Sequence, residues 1–129
     1  MENEKKRVLI SGYFDPLHAG HIDLIRRAKQ LGNHLIVVVN NDNQAKLKKG
    51  KPFMPQEERL EIMRSLKLVD EVVLSIDTDR TCNKTLEMLR PHIFANGGDK
   101  ITGKIPEQEV CERLGIKMIN NLGEKLQSS

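Results

Sequence analysis

The run His34-Leu35-Ile36-Val37-Val38-Val39-Asn40 restricts the fold more than any other part of this sequence. Its five consecutive apolar residues lack the alternation of a strand with one wet face, so the strand they form is covered on both sides. Such a strand belongs to a parallel sheet, and parallel neighbours must be joined by crossovers, usually helical. The rest of the chain has to supply those crossovers.

It does so with a regular rhythm. Val8 to Ile10 reads as a first strand, and an amphipathic pattern follows from Ile22 through Ile25, Ala28 and Leu31, with Gly32 placed to provide a left-handed cap. After the second strand, Asn41 to Met54 reads as a long polar loop rich in lysine. Pro55 then opens a helix whose first turn holds Gln56, Glu57 and Glu58, and Val72 to Ile76 reads as a third strand. Cys82, Leu86 and Leu89 are spaced as one helix face ended by Pro91, and His92 to Ala95 is a short fourth strand. A last helix from Ile105-Pro106 to Leu114 stops at Gly115, before a fifth strand from Ile116 to Ile119. The expected fold is α/β: a Rossmann-like open five-stranded parallel sheet with helices on both faces and right-handed crossovers. Residues 1–129 read as a single domain.

Composition narrows the function. A net charge of +3 with one Tyr and three Phe argues against a nucleic-acid stacking surface. No apolar run approaches the roughly 20 residues that span a bilayer, and Met1 to Arg7 lacks the apolar core of a secretory signal. A cytoplasmic protein with neither nucleic-acid nor membrane partner is expected. Cys82 and Cys111 have no paired spacing and read as buried apolar side chains.

The polar residues worth attention follow strands rather than precede them. After the first strand comes Gly12-Tyr13-Phe14-Asp15-Pro16-Leu17-His18-Ala19-Gly20-His21; after the second come Asn40, Asp42, Lys46, Lys48, Lys49 and Lys51; after the fourth, Asn96-Gly97-Gly98-Asp99; after the fifth, Lys125, Ser128 and Ser129. Loops at the carboxyl edge of such a sheet line its ligand crevice. His18 and His21, at i and i+3, share a face of a helix start, where unpaired N–H groups already suit phosphate. Gly20 between them lets a ligand approach the backbone, and the lysines of the second loop could neutralise a phosphorylated partner. This is equipment for phosphoryl or nucleotidyl transfer, in which positioning and electrostatics supply most of the rate. No third ligand accompanies the histidines at suitable spacing, so no metal site is assigned to the chain. Gly98 to Ile105 nearly spells a P-loop but has Ile where the magnesium-binding hydroxyl belongs.

The stretch GYFDPLHAGH resembles the signature of the cytidylyltransferase-like superfamily of nucleotidylyltransferases, whose core is H-x-G-H. RRAKQLGNHLIVVVNND, KGKPFMPQEERLEIMRSLKLVDEVV and RPHIFANGGD extend the likeness from Arg7 to about Ile119. The chain is similar to glycerol-3-phosphate cytidylyltransferase and to the heptose-phosphate adenylyltransferase domain. The resemblance implies a transfer of CMP from CTP to a phosphorylated small-molecule acceptor with release of pyrophosphate, with Mg2+ as cofactor and a homodimer as the assembly. The alternatives are an adenylyltransferase using ATP on a sugar phosphate or FMN-like acceptor, and a nucleotide-binding module without catalysis. It assigns His18, His21 and Lys48 to catalysis, and Tyr13, Phe14, Asp15, Gly20, Lys46, Arg59, Gly97, Asp99, Ser128 and Ser129 to nucleotide binding. The family's last motif, usually an Arg-led segment running into a helix, here reads NNLGEKLQSS and is expected to be cut short at Ser129.

Overall fold

In the computed structural model, which describes residues 5–97 and 105–122, five strands form one sheet: β1 (Arg7–Gly12), β2 (His34–Val39), β3 (Glu71–Leu74), β4 (Ile93–Gly97) and β5 (Lys117–Leu122). Their order is β3-β2-β1-β4-β5, and every adjacent pair is parallel. The sheet grows from β1 in one direction through β2 and β3, then in the other through β4 and β5. The chain therefore reverses its direction of growth between β1 and β4, the switch point beside which ligands bind in open sheets of this kind.

Five helices connect the strands: α1 (Ala19–Lys29), α2 (Asp42–Lys49), α3 (Gln56–Arg64), α4 (Asn83–Leu89) and α5 (Gln108–Leu114). Strand side chains alternate between two apolar layers. Val8, Ile10, Leu35, Val37 and Val39 pack with Ile25 and Ala28 of α1 and Met63 of α3. Leu9, Ile36, Val38 and Phe94 pack on the other face with Leu86 of α4 and Val110 and Cys111 of α5. Residues Leu35 to Val39 are at most 1% exposed, so the unbroken apolar run is covered on both faces as its sequence requires. Cys82 and Cys111 are both buried, and burial pushes both thiols up, Cys111 to about 11.

Several boundaries differ from expectation for physical reasons. Helix α1 begins three residues before the apolar periodicity does, at Ala19, because His18 caps it. Gly32 supplies no left-handed cap: Gln30 closes α1 in the right-handed region. A Cβ on Gly32 would lie 2.4 Å from the Lys6 carbonyl oxygen, so close passage of the chain beneath β1 requires glycine there. The expected polar loop after β2 contains a helix, α2. Asn41 and Gln44 form a reciprocal capping box at its start, and its buried residues are Gln44 and Ala45. A helix anchored by a buried amide carries almost no apolar periodicity to read. The last helix starts at Gln108 rather than at Ile105-Pro106.

Candidate active site

Past Gly12 the backbone turns sharply. Phe14 has a left-handed backbone (φ 50°), uncommon for a bulky residue, and its ring is 3% exposed in the core. Gly12 makes room for that ring, since a Cβ there would come 2.9 Å from Phe14 Cζ. The buried ring meets His21 edge-on, centroids 5.0 Å apart. Phe14 is thus the floor under a histidine.

The two histidines start α1 by capping each other. The Gly20 N–H donates to His18 Nδ1 at 3.1 Å, and the His18 N–H donates to His21 Nδ1 at 3.1 Å. This is the capping-box arrangement with imidazoles in place of hydroxyl and carboxylate. Each Nδ1 accepts, so in the neutral rings the proton sits on Nε2. The rings stack with centroids 3.9 Å apart and planes 25° from parallel, presenting two Nε2–H donors side by side. Gly20 permits this, because a Cβ would crowd the His18 ring at 3.1 Å. Burial holds His21 down to about 4, with the nearby His18 and Lys48 acting in the same direction. At neutral pH His21 is therefore an uncharged donor.

The histidines open into a cavity of about 350 Å³ walled by residues 11–16, Leu24 and Lys48. The Lys48 ammonium stands 4.5 Å from the centre of the Tyr13 ring, a cation–π arrangement that keeps the charge at the cavity. The expected residues Tyr13, Phe14, Asp15, His18, His21 and Lys48 are thereby brought together. Gly97, at the end of β4, borders the same wall: a Cβ there would meet Leu24 at 3.9 Å.

Two expected residues, Arg59 and Lys46, stand off the wall, and Asp15, on it, is engaged by main-chain groups. Arg59 is fully buried. Its Nε donates to Met54 O at 3.0 Å, Nη1 to Tyr13 O at 3.0 Å and Asn40 O at 2.7 Å, and Nη2 to Asp42 Oδ1 at 2.7 Å. A guanidinium so engaged ties four segments together and has no face for a nucleotide. Asp15 accepts from the N–H groups of Phe53 and Met54, each at 2.7 Å, and so fastens the 50–55 loop to the β1–α1 turn. Lys46 lies in α2 and is exposed. Two residues from Lys48, it points about 200° around the helix from it and is absent from the cavity wall. Asp99, Ser128 and Ser129 lie outside the described residues.

What positions Lys48 is legible only in part. Asn41 donates to the carbonyls of Ser75 and Asp77, and Gln44 to those of Asp79 and Thr81. Asp77 in turn caps α4 through the N–H groups of Lys84 and Thr85. The Asn-x-x-Gln spacing of residues 41–44 was the available signal; the partners across the fold had none.

Residues 9–121 match the family model described as cytidylyltransferase-like. The FAD synthase of Pyrococcus abyssi (strain GE5 / Orsay) is 35% identical over 117 residues, spanning 90% of this chain and 78% of that one. The FAD synthase of Thermococcus onnurineus (strain NA1) is 40% identical over 115 residues, 88% of this chain and 71% of that one. Among solved structures, the lipopolysaccharide core biosynthesis protein of Thermoplasma volcanium GSS1 superposes with a TM-score of 0.78 at 31% identity, covering 92% of this chain and 97% of that one.

Proposed function

Because this chain belongs to the cytidylyltransferase-like family and is a nucleotidyltransferase, we propose that it transfers AMP from ATP to the phosphate of FMN, forming FAD and pyrophosphate. The observation that carries the transfer chemistry is the stacked histidine pair, two Nε2–H donors held at a helix start beside Lys48. The choice of ATP and FMN rests on relatives named FAD synthase: FAD is AMP joined to FMN through a pyrophosphate link. Those names support the adenylyl alternative over the cytidylyl expectation.

In the proposed reaction an FMN phosphate oxygen attacks the α-phosphorus of ATP, the new P–O bond forms, and the bond from the α-phosphorus to the bridging oxygen of pyrophosphate breaks. The attacking monoester has its second ionisation near pH 6, so no protein base has to remove a proton. Negative charge grows on the α-phosphate oxygens and the departing bridge, where the His18 and His21 donors stabilise it. Lys48 lowers the repulsion between the two anionic substrates. The donors around the cavity are N–H groups, which suit an anion. Among the described residues no His, Cys, Asp or Glu cluster could hold a metal. A magnesium ion accompanying the triphosphate would be held by phosphate oxygens and water and would neutralise phosphate charge there.

The test is direct: the protein is incubated with ATP or CTP and with FMN, glycerol 3-phosphate or a sugar phosphate, while pyrophosphate release and the nucleotide product are measured. FAD formed from ATP and FMN is the expected result. Turnover confined to a sugar phosphate, the reading that the lipopolysaccharide core biosynthesis neighbour favours, would replace FMN as the acceptor.

A further inference from the structure

We infer that the ring of Phe53 is the surface on which a flat aromatic ring of the acceptor stacks, making Phe53 the residue that selects a flavin-like acceptor over a simple phosphorylated polyol. The inference rests on the FMN reading and adds to it the residue that would recognise the ring. Phe53 is 74% exposed, the most exposed of the large apolar side chains among the described residues. The other described rings have partners: Phe14 and Phe94 are in the core, and Tyr13 lies against the Lys48 ammonium.

The exposure of Phe53 does not come from a loose backbone. Its N–H and that of Met54 are both held by the Asp15 carboxylate, and the Met54 carbonyl accepts from Arg59 Nε. Asp15 is part of the cavity wall, so the backbone that carries the ring is anchored next to the site that holds the histidine pair.

Its side of the cavity identifies its substrate. Arg59 joins the 50–55 loop to Asn40, just past β2, and to Asp42 of α2, while Asp15 joins it to the β1–α1 turn, which places Phe53 between the ends of β1 and β2, on the flank of Lys48. The sheet reverses on the opposite flank, between β1 and β4, where a nucleotide sits in folds of this kind. In-line displacement puts attacking and leaving groups on opposite sides of the α-phosphorus. With the nucleotide toward β4, the acceptor approaches from the β2 flank, its phosphate toward Lys48. Its polyol chain then leads past the 50–55 loop to the ring of Phe53.

Stacking of a planar heterocycle on an aromatic side chain is worth roughly ten- to a hundredfold in affinity. The test titrates FMN alone, followed by flavin fluorescence anisotropy, into the wild-type chain, Phe53→Ala and Phe53→Trp. ATP is then added and FAD formation measured. Phe53→Ala should weaken FMN binding about tenfold or more and leave the KM for ATP unchanged. Phe53→Trp should restore binding and quench the flavin through electron transfer from the indole. Ribitol 5-phosphate, which keeps the polyol and the phosphate without the ring, should bind wild type and Phe53→Ala alike.

Equal FMN affinity in wild type and Phe53→Ala overturns the inference, as does an absence of FMN binding to the wild type. A change in sedimentation with no change in FMN affinity also overturns it and assigns the ring to a contact between two copies of the chain. Phe53-dependent FMN binding without any FAD formed supports the ring site while sinking the proposed reaction.

Discussion

The β1–α1 turn and the segment from Asn41 to Arg59 both build the cavity, yet they are held in opposite ways. The turn is supported locally. His18, Gly20 and His21 satisfy one another's backbone within a single helical turn, and Phe14 beneath them is buried in the core. The second segment is held at long range, by side chains reaching carbonyls 19 to 46 residues away, such as Arg59 to Asn40 and Tyr13 and Gln44 to Thr81. Local support makes the turn a compact signature that survives as a short motif. Distant support makes the second segment look like an ordinary polar loop, although Gln44, Ala45 and Arg59 within it are as deeply buried as any residue in the core.

If that contrast is right, the largest loss of stability comes from Arg59. Arg59→Met should destabilise the fold by about 3–5 kcal/mol, since it removes the donor from three carbonyls and from the partly exposed Asp42. Urea unfolding measures it, and a loss below about 1 kcal/mol would show that the segment is held by something else. Next, His21→Ala should lower kcat by about 10²–10³, or roughly 2.7–4 kcal/mol of barrier, as for loss of one preorganised donor. Near-normal turnover in a pyrophosphate-release assay would remove His21 from the proposed mechanism.

Gln44→Leu keeps the volume and loses the amide, leaving the Asp79 and Thr81 carbonyls without their donor. It should cost about 1–3 kcal/mol and affect the Lys48 side of the site more than the histidine side. A raised KM for the acceptor with an unchanged KM for ATP would express that asymmetry.

The smallest effect is with pH. The folded chain keeps His21 neutral down to about 4, whereas the unfolded chain protonates it near 6.5. Between those values the unfolded state binds more protons, so stability rises with pH across the window. The contribution is intact above about 6.5 and is lost as pH falls toward 4. Urea midpoints at pH 7.5 and 4.5 should converge in His21→Asn relative to wild type; an identical pH dependence in both would contradict the buried, neutral imidazole.

The same contrast explains what the amino-acid sequence reveals. The sheet is legible because Leu35 to Val39 is apolar at every position, and parallel burial on both faces is the economical way to accommodate that. The histidine pair is legible because H-x-G-H compresses cap, proposed ligand donors and clearance for the imidazole into adjacent residues. Arg59 and Asp15 stand at recognisable positions, but the contacts each makes are to the fold. Both look like ligand contacts in a string of letters, and in space both are occupied by main-chain groups brought from far along the chain. Periodicity reports side-chain burial only when the buried side chain is apolar, so α2, with Gln44 inside, was unreadable by that route.

The mutual capping of His18 and His21 has a consequence for how the protein can be observed. The amide hydrogens of His18 and Gly20 are the ones donated to the two imidazoles, so their exchange with solvent requires the ring pair to come apart. Slow exchange at these two amides would thus count the fraction of molecules whose histidine pair is assembled, without substrate and without turnover. Fraying of the first turn of α1 and loss of the proposed phosphate donors would register as one event.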